Sequence, residues 1–98
     1  MAESRYQAAL IRKLKLLFPG CLILKNDERY LQGIPDLLIL FGSNWAMLEV
    51  KDSATAPFQP NQMYYIEMLD KMSFADVIWP ENEEAVLDGL QRALRSRR

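Results

Sequence analysis

The sequence predicts a single α/β domain with the element order αβββαβα. Three observations lead there. Near both ends of the chain, apolar residues recur at steps of three and four, the spacing of one helix face. In the middle, residues 36–41 and 45–51 form two apolar runs around a short turn, the pattern of paired strands. A third helical pattern, opening at residue 59, leads straight into another short apolar run at 74–79.

Residues 3–18 read as an amphipathic helix, with Tyr6, Leu10, Leu14 and Leu17 on one face. Pro19-Gly20 stops it. CLILK, residues 21–25, is a short strand, and NDERYLQG, residues 26–33, a polar loop. DLLILF, residues 36–41, is uninterrupted by polar groups, as expected of a central strand covered on both faces. Gly42-Ser43-Asn44 signals a turn, and WAMLEVK, residues 45–51, returns as the next strand. Gln59-Pro60 suits a helix start, since proline is tolerated in the first turn, and Gln62, Tyr65, Ile66 and Leu69 then share a face. FADVIW, residues 74–79, is the fourth strand and Pro80 its stop. Val86, Leu87, Leu90 and Leu94 mark a last helix over 83–95, with a basic tail at 92–98. No repeat or second domain interrupts residues 1–98.

Composition removes several chemistries. The chain has no histidine, which excludes a Ser-His triad, His-metal nucleases and Cys/His zinc sites. Cys21 is the sole cysteine, so no intrachain disulfide forms, in keeping with a reducing cytoplasm. No apolar run reaches the roughly 18 residues of a membrane span, and no membrane partner is expected. Net charge is −1, but its distribution is uneven. Basic residues dominate 1–30 and the last seven positions, whereas 31–91 holds ten acids against only Lys51 and Lys71. Basic edges around an acidic centre suit a nucleic-acid partner; solvated helix faces give the same pattern.

The hairpin GIPDLLILFGSNWAMLEVK carries charge only at its ends, at Asp36, Glu49 and Lys51. A hard cation such as Mg²⁺ takes oxygen ligands from one or two carboxylates and keeps several waters. A water bound to it is a better nucleophile, and a nearby lysine can orient that water or neutralise developing charge. Glu49 and Lys51, two apart on a strand, share a face. Asp36 joins them only for an even turn. With Gly42 opposite Trp45 around Ser43-Asn44, Asp36 opposes Lys51; an odd turn without a bulge sends Glu49 to the other face. The simpler alternative is a strand-ending Asp36–Lys51 salt bridge. Gln62, in the first turn of its helix, sits where free N–H groups favour anions. Glu3 likewise suits its own helix N-terminus electrostatically.

Gly33-Ile34-Pro35-Asp36, Glu49-Val50-Lys51 and Gln62-Met63-Tyr64-Tyr65 resemble the Gly-x-Pro-Asp, Glu-x-Lys and Gln-x-x-Tyr motifs of the VRR-NUC (virus-type replication-repair nuclease) family, within the PD-(D/E)xK nuclease superfamily. The resemblance spans nearly the whole chain. It implies a restriction-endonuclease-like core with a mixed central sheet flanked by helices. It also implies a Mg²⁺- or Mn²⁺-dependent DNA endonuclease, working in the cytoplasm of a bacterium or a phage-infected host. Small stand-alone members are similar to Holliday-junction resolvases, which implies branched DNA as partner and a homodimer. By this resemblance Asp36 and Glu49 are metal ligands, with the carbonyl of Val50 and the carboxylate of Glu3 beside them. Lys51 is the catalytic lysine and Gln62 its motif partner, while Tyr65, Lys25 and Arg29 lie toward the substrate. A competing expectation is a non-catalytic DNA-binding module that kept the fold. One departure is the turn Lys71-Met72-Ser73, where the family commonly has a glycine.

Overall fold

A computed structural model describes residues 2–96. Arg97 and Arg98, at the end of the expected basic tail, lie outside the described residues. The elements are α1 (Glu3–Leu17), β1 (Leu22–Lys25), β2 (Leu37–Phe41), β3 (Asn44–Val50), α2 (Gln62–Met72), β4 (Ala75–Ile78), a 3₁₀ turn (Pro80–Asn82) and α3 (Glu83–Arg95). The expected order αβββαβα holds. The strands form one mixed sheet in the order β1-β2-β3-β4. β1–β2 and β2–β3 are antiparallel, and β3–β4 is parallel. A parallel neighbour needs a crossover, and α2 with its preceding loop provides it.

The period-two alternation of the strands divides the molecule. Leu37, Ile39, Ala46, Leu48, Val50 and Ile78 face one way and pack against Tyr6, Leu10, Leu14 and Phe18 and against Val86, Leu87, Leu90 and Leu94. This main core therefore holds α1 and α3 on one face of the sheet. On the other face, Ile66 and Leu69 of α2 meet Ala75 and Val77, with Trp45, Met47 and Tyr65 packed around them. The expected stripe of α3 is buried in full. Leu17 of α1 is only partly buried, and Phe18, just beyond the helix, takes the fully buried position instead.

DLLILF is covered on one face, not two. Leu37 and Ile39 are fully buried, whereas Leu38 and Leu40 are half-exposed. The reason is the seat of α2, which packs on β3 and β4. On the same face Leu22 and Leu24 of β1 are 54% and 43% exposed.

The turn between β2 and β3 also differs from the expected Ser43-Asn44. Phe41 opposes Asn44, so Gly42 and Ser43 are the turn residues. Gly42 has φ +61, the requirement at the first central position of a II′ hairpin turn. Asn44 is thereby drawn into β3 and buried, where its Nδ2 donates to the carbonyls of Leu94 and Ser96 at 2.9 and 2.8 Å. Two prolines do other work than expected. Pro60 lies ahead of α2 rather than in its first turn, because Asn61 at φ 70 redirects the chain at the helix N-cap. Pro80 opens the 3₁₀ turn that leads into α3.

The two sheet edges are finished differently. Along the outer edge of β4, side chains take the free main-chain groups. Asp70 accepts from Ala75 N–H, Asp76 from Val77 N–H, and Asn82 accepts from Trp79 N–H while donating to Val77 O. β1 has no such cover among the described residues. Asn26 N–H donates to Asp36 O at 2.8 Å. By antiparallel alternation Leu22 and Leu24 also turn their main chain toward β2, and Ile23 and Lys25 turn theirs outward.

Candidate functional site

The register that makes the turn also assembles the charged ends. Extended by one step beyond Leu37↔Leu48, the β2–β3 ladder sets Asp36 opposite Glu49. The expected partner was Lys51; the two-residue slide follows from Gly42, not Ser43, beginning the turn. Parity is unchanged, so Asp36, Glu49 and Lys51 all lie on the α2 face. Past the last ladder pair, the Asp36 carboxylate replaces a strand partner and accepts the N–H of Val50 at 2.9 Å. The Asp36–Lys51 salt bridge of the simpler reading is not the one formed. Lys51 Nζ pairs instead with Glu49 Oε2 at 3.2 Å.

Glu49, Lys51 and Gln62 are 2%, 6% and 2% exposed and form one network. Gln62, the first residue of α2, donates from Nε2 to Glu49 Oε2 at 2.8 Å. Its Oε1 accepts from Lys51 Nζ at 3.1 Å and from Gln59 N–H at 2.7 Å. Lys51 Nζ also donates to Pro57 O at 3.0 Å. The three protons of the ammonium thus have three protein acceptors. Glu49 Oε2 has two donors, while Glu49 Oε1 is buried with no hydrogen-bond partner among the described residues.

These groups form one wall of a cleft of about 810 Å³. Its lining includes the carboxylates of Glu3, Glu28, Asp36, Glu49 and Asp52 against the cations of Arg29 and Lys51. The excess of negative charge acts on the acids themselves. Burial, then the charge of Asp36, pushes Glu49 up to about 7 despite the pull of Lys51. Burial also raises Asp36, outweighing the hydrogen bond from Val50. Glu3 is raised by burial and by Asp36. Among the described residues, no three His, Cys, Asp or Glu side chains gather closely enough to hold a metal ion by themselves. The site offers two carboxylates, one of them with an orphaned oxygen, a donor set that fits a cation taking most of its ligands from water and substrate.

Of the other expected site residues, Glu3 and Arg29 share the cleft lining, whereas Tyr65 and Lys25 do not. Val50 is fully buried, with its side chain in the main core and its N–H on Asp36. Glu3 lines the cleft from the start of α1. Arg29 lines it from the 26–33 loop, with a highly exposed side chain paired to Asp27 at 3.1 Å. Tyr65 packs in the α2 core, edge-on to Tyr64, and is not in the cleft lining. Lys25 is exposed at the end of β1, also outside that lining. Arg95 of the basic tail is bound to the fold itself. It donates to Leu17 O at 2.6 Å and lies over the rings of Phe18 and Phe41. Sequence reading missed Glu28, whose Oε1 is 3.5 Å from Gln62 Nε2, and Asp52 at the cleft wall. A polar loop has no periodicity to single out Glu28, whereas Asp52 was marked only by its place beside Lys51. No family model, curated protein or solved structure matches the chain.

Proposed function

We propose that this protein is a metal-dependent DNA endonuclease with a restriction-endonuclease-like core of the VRR-NUC kind, acting as a homodimer on branched DNA. One observation carries the reading: Glu49, whose Oε1 is buried without a partner among the described residues, lines an acidic cleft beside Asp36. An unsatisfied buried acceptor costs about 1–3 kcal/mol, and more when charged. A divalent cation removes that cost. Its charge would also offset that of the cleft carboxylates, which repel a phosphodiester. Mg²⁺ or Mn²⁺, when bound, supplies a more acidic water and a Lewis acid at the phosphoryl oxygens.

In this reading Asp36 and Glu49 would hold the cation, with the Val50 carbonyl beside them. Lys51, whose three protons are taken by Glu49, Gln62 and Pro57, acts through its charge, offsetting the negative charge that grows on the phosphoryl oxygens. Gln62 keeps Lys51 and Glu49 in place. Water oxygen bonds to phosphorus as the P–O3′ bond breaks; the attacking water gives one proton to solvent, and the 3′ oxygen takes one from solvent. The products are a 3′-hydroxyl and a 5′-phosphate. One domain carries one such site, so cutting two strands of a junction takes two copies. The open edge of β1 supports a place for the second.

The test is cleavage of junction, flap, nicked and linear duplex DNA in Mg²⁺ and in Mn²⁺. Wild-type protein should cut branched substrates. Lys51→Ala should bind them with similar affinity and cut at least about 100-fold more slowly. DNA binding with no cleavage of any substrate would favour the non-catalytic module. No DNA affinity even at low salt, where backbone contacts are strongest, would sink both.

A further inference from the structure

A second cavity, of about 310 Å³, adjoins the acidic cleft. Lys51 and Ala56 line both spaces. The 52–61 segment divides them: Pro57 and Gln59 line the cleft, and Phe58 lines the cavity. The chemistry changes across this divide. The cavity wall is apolar at Phe58, Met63, Val77 and Trp79; besides Lys51 its polar side chains are Asp76, Asn82 and Ser53, the last paired with the Thr55 hydroxyl. Phe58 and Met63 are 46% and 43% exposed, so apolar side chains are presented to solvent at its mouth.

Lys51 Nζ stands 5.2 Å from the centre of the Phe58 ring. The ammonium whose charge would draw a phosphate thus lies over one face of an aromatic side chain that is 46% exposed. Bases stack on such faces whatever their sequence. The polar groups add a preference. Asn82 is held by one bond at each end, its Oδ1 accepting from Trp79 N–H and its Nδ2 donating to Val77 O. Asp76 gives only Oδ1, to Val77 N–H. A carboxylate accepts and does not donate, so it suits the exocyclic amino groups of cytosine and adenine and repels the carbonyls of thymine. Its charge also turns phosphate away from the cavity.

We infer that this cavity receives one unstacked nucleobase of the strand whose phosphate lies at Lys51, its face on the Phe58 and Trp79 walls and its amino group toward Asp76. The inference rests on the nuclease reading for the phosphate's position. Unstacking costs least at branch points and in single strands, which makes the pocket a device for selecting DNA shape.

The experiment is an NMR titration of the full chain with dCMP, dTMP and deoxyribose 5-phosphate, each with and without Mg²⁺. None of these holds a phosphodiester to cut. dCMP should shift the Trp79 indole and Asn82 amide signals, dTMP should bind more weakly, and the sugar phosphate should leave both signals still. Phe58→Ala should weaken dCMP binding by about 5- to 150-fold, the equivalent of stacking on one aromatic face. Asp76→Asn should erase the preference for dCMP over dTMP while retaining binding. Equal binding of dCMP and the sugar phosphate, or shifts confined to the acidic cleft, would overturn the pocket. Base binding in a protein that cuts no DNA keeps the pocket and removes the nuclease reading; cleavage without base binding does the reverse.

Discussion

Gln62 and Glu49 are both almost fully buried, but only Gln62 has a partner for each polar atom. Its amide joins the Gln59 N–H, the Lys51 ammonium and the Glu49 carboxylate into one unit. Gln62→Ala leaves all three short of a partner at once. The expected cost is about 1–3 kcal/mol, read as a fall in Tm of about 4–8 °C per kcal/mol for a chain this size. Gln62→Glu, which keeps the length but adds charge beside Glu49, should rescue little. Glu49 gives a pH signature. Its folded-state pKa of about 7 stands above the ordinary 4.5, so the folded protein binds more protons across that interval. Stability in chelator should therefore fall as pH rises from about 4.5 through about 7. Glu49→Gln should flatten that fall in Tm, and a variant that tracked wild type across the range would refute the assignment. The residue types and spacing at 36, 49, 51 and 62 were readable because strand period and helix start fix where such side chains point. What each one bonds to was not, since Pro57 O, Gln59 N–H and Glu28 arrive from loops with no period.

The β2–β3 hairpin and the helices show the same division among elements. Apolar runs located the strands, and stripes of three and four located the helices, α3 to the residue at both ends. The turn was misplaced because Ser43-Asn44 and Gly42-Ser43 are equally good turn dipeptides by composition. Positive φ at the first turn position selects the one with glycine. That choice releases Asn44 to tie β3 to the last carbonyls of α3, a contact between residues about 50 apart that no local pattern displays. Asn44→Ala should loosen the end of α3, costing about 1–3 kcal/mol and raising hydrogen exchange at residues 92–96. Gly33 joins the 26–33 loop to the start of α2. It has φ +93, and a Cβ there would lie 2.7 Å from the Asn61 main chain. Gly33→Ala should push Asn61 and Gln62 away from Glu49, lowering Tm and cleavage together. Normal cleavage by that variant would show that the placement of Gln62 does not depend on this contact.

At the scale of the whole molecule, the contrast between the sheet edges is the feature hardest to foresee, because an edge exists only once the pairing order is set. An uncovered edge invites another strand, and folds usually block it. Here side chains block β4, while β1 keeps two outward main-chain positions beside the exposed Leu22 and Leu24. Two copies related by a two-fold axis can pair β1 with β1, which satisfies those groups in both. Cross-strand neighbours in such a pair point to one face, so Leu22 and Leu24 of each copy would meet there. Such an interface would be self-complementary, as a C2 dimer requires. Light scattering should give twice the chain mass of 11.4 kDa. Leu24→Glu places like charges together only in the dimer, because in the single chain that position is already 43% exposed. The variant should run at the single-chain mass and keep its circular dichroism. Its Tm should no longer rise with protein concentration, as that of an associating chain does. On a four-way junction it should nick single strands without paired cuts. A variant that stays dimeric, or a wild-type protein found at single-chain mass at high concentration, would place the second copy elsewhere or nowhere.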